Sequence, residues 1–178
     1  MRLDLKPVAE VSDDERAALS ALTRAVYPPE ALATRPGRHV QWAPPDYRVL
    51  VWDPEGELVS HVGLVVRAGT VDGAPVQIGG VASVKTHPRA EGRGYASAGL
   101  RLAAAALNEG HEVAFSLLVC QDHLLSFYNR LRWLVFPGRL VVEQPAGPTV
   151  FTINRPMVLS GLRPAPRDGT IDLNGLPW

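Results

Sequence analysis

The chain lacks the residues that several kinds of chemistry require. Cys120 is the only cysteine among 178 residues, so an internal disulfide and a cysteine-based zinc site are both excluded. The five histidines show no metal-ligand spacing, and no metal is expected. Net charge is also absent. Lysine plus arginine and aspartate plus glutamate number 18 each, which argues against nucleic-acid binding through bulk charge. No apolar run approaches the ~20 residues of a membrane span. Residues Met1 to Lys6 intersperse charges where a signal peptide would have an apolar core. A cytoplasmic protein with no membrane or nucleic-acid partner is the expectation. There is no Gly-Lys-Ser/Thr phosphate loop and no dinucleotide Gly-x-Gly-x-x-Gly.

What is present suits one mixed α/β domain spanning residues 1–178, with no internal repeat. Sixteen prolines and sixteen glycines imply much loop. Ser12-Asp13-Asp14-Glu15 reads as a capping box, with Leu19, Leu22 and Val26 as the helical stripe behind it. Tyr27-Pro28-Pro29 ends that helix, and residues 28–46 read as a long irregular loop. Strands are expected at 47–53, 58–67 and 76–86, with a turn at Asp53-Pro54-Glu55-Gly56 and a tight hairpin at Asp72-Gly73. A helix over 96–107, a strand over 113–119 and a helix over 122–131 follow. Then come a strand over 133–143, a Pro/Gly break at 145–148, a strand over 149–154 and an irregular tail.

The most informative stretch is Thr86-His87-Pro88-Arg89-Ala90-Glu91-Gly92-Arg93-Gly94-Tyr95-Ala96. It joins a strand to an Ala/Leu-rich helix through two glycines. Orphan amides at a helix start point outward, and the macrodipole there favours negative charge. Gly92 and Gly94 remove the side chains that would keep an anion from the backbone. Strand, glycine turn and helix together can grip a pyrophosphate.

This turn resembles the coenzyme A loop of the GCN5-related N-acetyltransferases, the GNAT superfamily, which reads Gln/Arg-x-x-Gly-x-Gly/Ala. Glu91, Gly92, Arg93, Gly94, Tyr95 and Ala96 fill its slots. Glu91 departs from the family's Gln or Arg. A carboxylate beside a diphosphate is unfavourable, so Glu91 is expected to turn to solvent, with Arg89 or Arg93 supplying positive charge. A second segment, Ser126-Phe127-Tyr128-Asn129-Arg130-Leu131-Arg132-Trp133, is similar to the family's Phe-Tyr-x-x-x-Gly-Phe. The resemblance implies a mostly antiparallel mixed sheet with flanking helices and one splayed strand pair. It implies acetyl-CoA as acyl donor and a small-molecule amine as acceptor, with a homodimer as an open expectation. The amides of Val84 and Thr86, with Lys85 between them, would hold the pantetheine and thioester. Tyr128 would protonate the departing thiolate, because a phenol titrates near pH ~10 and keeps its proton at neutrality.

A narrower resemblance concerns the acceptor. The hairpin Leu58 to Arg67 with Val76 to Val81, and the tail Asp168 to Trp178, look like those of aminoglycoside 2′-N-acetyltransferases and of nodulation N-acyltransferases. An amino sugar or aminoglycoside-like amine is the implied acceptor. Trp42 and Trp178 would form its stacking wall, and Asp172 would be the carboxylate nearest the amine. Two departures stand out. Ala82 occupies the slot of the aminoglycoside enzymes' basic glutamate, and residues 31–36 (Ala-Leu-Ala-Thr-Arg-Pro) carry none of the carboxylates a polycation needs. The rival expectation is a coenzyme-binding domain that has lost catalysis. His61 and His87 read as structural, and Cys120 as buried and inert.

Overall fold

The structure, a computed structural model, describes residues 1–28, 30 and 37–178. Every assigned strand joins one mixed sheet. Strand β1 (Arg2–Pro7) pairs antiparallel with β2 (Tyr47–Trp52), which pairs with β3 (Leu58–Val71). Between β1 and β2 lies helix α1 (Asp13–Val26). It starts on the expected capping box: Ser12 Oγ accepts from Glu15 N at 3.2 Å, and Glu15 Oε2 accepts from Ser12 N at 2.8 Å. Residues 37–46 run without helix or strand; the rest of the expected long loop includes residues 29 and 31–36, which lie outside the described residues.

Strand β3 turns into β4 (Ala74–Thr86) at Asp72 and Gly73, whose φ angles are 49° and 82°. Positive φ at both central residues gives the hairpin turn whose twist matches the strands. Helix α2 (Tyr95–Ala105) leads to β5 (Phe115–Cys120), which lies parallel to β4. Helix α3 (Leu125–Arg130) follows, then β6 (Leu134–Val135), β7 (Arg139–Gln144), β8 (Gly147–Val150), β9 (Arg155–Ser160) and β10 (Thr170–Asp172). The strand order is β6-β9-β5-β4-β3-β10-β7-β8. Strand β3 therefore shares one edge between two neighbours: β2 along Leu58–Leu64 and β10 at Thr70–Val71.

Three expectations are corrected here, and one unassigned segment is a strand. The single strand over 133–143 is two strands, with β6 at one end of the sheet order and β7 next to the other end. Pro137, which has no amide hydrogen, and Gly138, which presses on the Gly169 carbonyl, separate them. The strand over 149–154 ends at Val150. The next strand is β9, which runs through Pro156 opposite Val119. The charged N-terminus is a strand, because alternation in Arg2-Leu3-Asp4-Leu5-Lys6 suits an edge position. The tail is not wholly irregular, since Thr170–Asp172 pairs with both β3 and β7.

Two cores flank the sheet. One packs Val62, Leu64 and Val81 against Tyr95, Leu100 and Leu107 of the α2 segment, and reaches Tyr128. The other packs Val65, Ile78, Phe115 and Leu117 against Leu140, Phe151, Ile171 and Trp178 from the C-terminal third. A smaller cluster seats α1 through Leu22 on Leu50, Trp52 and Leu58.

Candidate active site

Strands β4 and β5 hydrogen-bond only over Ile78–Gly80 and Phe115–Leu117. Beyond Gly80, β4 continues to Thr86 on β3, and β5 continues to Cys120 on β9. The two strands splay, and a cavity of about 580 Å³ opens in the gap. Val81 to Lys85 line one wall and Leu118 to Gln121 the other, with Tyr128, Thr23 and Trp42 also on its surface.

The turn that feeds α2 has the form its sequence implies. Gly92 and Gly94 adopt φ of 72° and 83°, and nothing lies within 4 Å of where either Cβ would stand. Side chains there would be strained, and the space is open to an anion. The Ala98 amide makes the bond to Gly94 O at 3.0 Å, so the amides of Tyr95, Ala96 and Ser97 precede it at the helix start. His87 braces the turn, its Nδ1 accepting from Arg89 N at 3.2 Å. Glu91 and Arg93 are exposed, while Arg89 sits 3.6 Å from Asp53. Thr86 Oγ1 meets Ser60 Oγ at 3.0 Å, and Lys85 Nζ donates to Thr23 Oγ1 at 3.1 Å.

Tyr128 comes from α3, its ring edge-on to Phe127 and Trp133. Burial, with Cys120 and Tyr27 nearby, pushes its phenol above the ordinary range, so the hydroxyl remains a proton donor at neutral pH. Cys120 is buried, its thiol pushed up to about 11 by burial and by Asp122, and its Sγ lies 3.6 Å from Met157 Sδ. A protonated thiol is a poor nucleophile, so it packs the wall.

The acceptor-side expectations divide. Trp42 is half-buried on the cavity wall, edge-on to Phe151 at 5.8 Å. Trp178 also reaches the cavity but is only 4 % exposed. Its Nε1 donates to Leu117 O at 3.0 Å, and its ring covers Gly80 so closely that no Cβ fits. It fills the apex of the splay as a floor, and offers little face for stacking. Asp172 is not on the cavity. It lies on β10 opposite Thr70, its Oδ1 accepting from Asn174 N at 2.8 Å. Thr70 faces Pro75, and the six steps of β4 from there to Val81 span roughly 20 Å. Ala82, in the slot of the basic glutamate, lines the cavity, and none of the described lining residues carries a side-chain carboxylate.

Sequence reasoning missed an irregularity in β4. Gly63 pairs with Ala82 but His61 with Lys85, so Ser83 and Val84 stand against Val62 alone. Ser83 takes a φ of 50°, uncommon for a residue with a Cβ. His61, fully buried, meets the Ser83 carbonyl through Nδ1 at 2.9 Å and Arg48 Nη1 through Nε2 at 3.0 Å. The Leu58 to Arg67 pattern shows a histidine in mid-strand, but nothing in it marks the contact with Ser83.

Among described residues there is no cluster that could hold a metal and no helix long and apolar enough to cross a membrane. The geometry agrees with what comparison finds. Residues 8–136 match the family model for the acetyltransferase (GNAT) domain. No curated protein matches the chain. Among solved structures, the fold is similar to a GNAT family N-acetyltransferase (YhbS) from Escherichia coli in complex with CoA, at 17% identity and TM-score 0.61 over 98% of this chain and 91% of that one. Escherichia coli ElaA matches at 16% identity and TM-score 0.62, over 89% of this chain and 99% of that one. A GNAT family acetyltransferase from Brucella melitensis in complex with acetyl-CoA matches at 15% identity and TM-score 0.57, over 96% and 94%. At such identities these structures speak for the fold. The family model, which spans more than half of the residues, carries the further conclusion that the chain belongs to the GNAT acetyltransferase family.

Proposed function

We propose that the protein transfers an acetyl group from acetyl-CoA to the primary amine of a small molecule, with Tyr128 as general acid. One observation carries this reading: Tyr128 and the open stretch of β4 from Val81 to Lys85 line the same cavity, where β4 and β5 part. Acetyl-CoA supplies the activated acyl group. The residues fit it, with open space and first-turn amides at Gly92–Ala96 for the diphosphate and the unpaired edge of β4 for the pantetheine. The amine nitrogen attacks the thioester carbon, the carbon–sulfur bond breaks, and the Tyr128 hydroxyl gives its proton to sulfur. The attacking nitrogen loses its proton to solvent at the cavity mouth, and the phenolate regains one from the same source. Asp172 has no part in this step because of its distance from the cavity.

An amino sugar remains the acceptor class within this reading, with half-buried Trp42 as the stacking surface. The aminoglycoside-like form is the weaker version, since the described lining offers a polycation no side-chain carboxylate. That same absence favours the second reading, an acyl-CoA-binding domain without transferase activity. A homodimer belongs to the proposal through Leu134 and Val135, which are exposed on the terminal strand β6, and sedimentation measures it. The deciding experiment combines calorimetry of acetyl-CoA binding with thiol release against neutral, anionic and polycationic amines. Binding with amine-dependent thiol release supports transfer, binding alone supports the second reading, and no binding removes both.

A further inference from the structure

The reaction as derived makes no use of His61 and Arg48, yet both bear on the one irregular peptide of the cavity wall. A guanidinium has only donors, so the Arg48 contact obliges His61 Nε2 to accept. The ring proton then belongs on Nδ1, which donates to the Ser83 carbonyl. Burial above all, with the charges of Arg48 and Lys85, pulls the imidazole down to about 3, so this arrangement persists across the neutral range. The imidazole is thus no general base, having no available nitrogen.

What it does hold is a direction. In a planar trans peptide the carbonyl and the following N–H point opposite ways. Turning the Ser83 carbonyl toward His61 on β3 therefore turns the Val84 N–H toward the other edge of β4. Ladder pairing with β5 has already stopped on that edge, at Gly80 and Leu117. It is the cavity edge, and Val84 and Tyr128 both line it. The left-handed Ser83 is strained and persists only where its surroundings over-determine it. The buried imidazole, itself held by Arg48, is such a surrounding.

We propose that Arg48 and His61 are positioning residues of the transfer reaction, holding the Ser83–Val84 peptide so that the Val84 amide donates to the thioester carbonyl oxygen of acetyl-CoA. This rests on the acetyl-transfer reading. A donor aimed where negative charge develops acts mainly on turnover, and removing one such donor typically costs ~10²–10³-fold. Arg48→Met and His61→Phe should each lower kcat by at least tenfold and on the order of 10²-fold at most, while acetyl-CoA affinity stays within about threefold.

The direct test needs no acceptor. Acetyl-CoA labelled with ¹³C at the thioester carbonyl is bound to the wild-type chain, and its carbonyl stretch is read by difference infrared spectroscopy. The proposal expects a shift to lower frequency on binding, reduced in Arg48→Met and His61→Phe and restored in Arg48→Lys, which keeps a donor for Nε2. Should His61→Phe fail to fold, the two Arg48 variants decide the matter, because Arg48 is only half-buried. A shift that survives in Arg48→Met, or no shift in a wild-type chain that binds acetyl-CoA, overturns the positioning role alone. A wild-type chain that does not bind acetyl-CoA overturns the transferase reading and the proposal together.

Discussion

The two ends of strand β4 behave as different materials. From Ala74 to Gly80 it is regular and paired with β3, and over Ile78–Gly80 with β5 as well; the Trp178 indole seals the end of that run. From Val81 to Thr86 it is bulged, open along one edge and turned into a left-handed residue at Ser83. Unspent backbone donors, a cavity and a proton-bearing phenol gather at the second end. The first end supplies the rigidity that fixes their positions. Order and irregularity lie a few residues apart on one strand, and each is needed by the other.

The sharpest way to break the comparison is at the seal. Trp178→Ala removes a buried aromatic and the hydrogen bond to Leu117 O. It should cost ~3–5 kcal/mol, read as a lowered urea midpoint. A change below 1 kcal/mol would mean that the regular end needs no closure. At the open end, Tyr128→Phe should leave that midpoint within ~1 kcal/mol and lower kcat by ~10²–10⁴-fold. Turnover within threefold of wild type would strip Tyr128 of its acid role.

The next two effects are smaller. His61 is neutral in the fold and charges in the unfolded chain, where imidazole titrates near 6.5. The unfolded state therefore binds more protons between about 3 and 6.5. Stability is full above that window and falls as pH drops through it, by up to ~1.4 kcal/mol per pH unit. Denaturation between pH 6.5 and 5 isolates this effect. Glu15, held below its usual range by Lys6 and the Ser12 amide, takes up protons only at lower pH. The slope should flatten in His61→Phe. Gly94→Asp places a Cβ and a carboxylate in the left-handed turn residue and should weaken acetyl-CoA binding by about tenfold or more, seen by calorimetry. The least effect belongs to Asp172→Asn. Its distance from Tyr128 should keep turnover within twofold, and a tenfold loss would restore Asp172 to the acceptor site.

The same contrast explains what could be read from the chain. The regular parts announce themselves: the Ser12–Glu15 box, the Asp72–Gly73 hairpin and the Gly92/Gly94 turn are local chemistry written in adjacent residues. Tyr128, which lines the cavity, is likewise marked by its own neighbours in Ser126–Trp133. The bulge left no trace, because Ser83 and Val84 fit an alternating pattern as well as any pair. It exists only where a buried histidine from another strand meets it. The tail misled for a related reason. Asp172 and Trp178 are chemically eloquent residues, but their places depend on a pairing of Thr170–Asp172 with β3 and β7 that periodicity over three residues cannot show. Pro156 similarly hid β9, since a proline is unwelcome in most strand interiors.

Strand β3's divided edge has a consequence for the order of folding. Its first half is claimed by β2, only a turn away in sequence, whereas its far end at Thr70 and Val71 waits for residues about a hundred positions later. Pairings of such long range are slow to form. Until Thr170–Asp172 arrives, the β3–β4 hairpin presents a bare ladder that another chain can add to. Synthesis from the N-terminus therefore carries an interval of exposure that ends only when Thr170–Asp172 docks. Damage confined to that stretch would show first as aggregation during expression, before any loss in the activity of the molecules that fold.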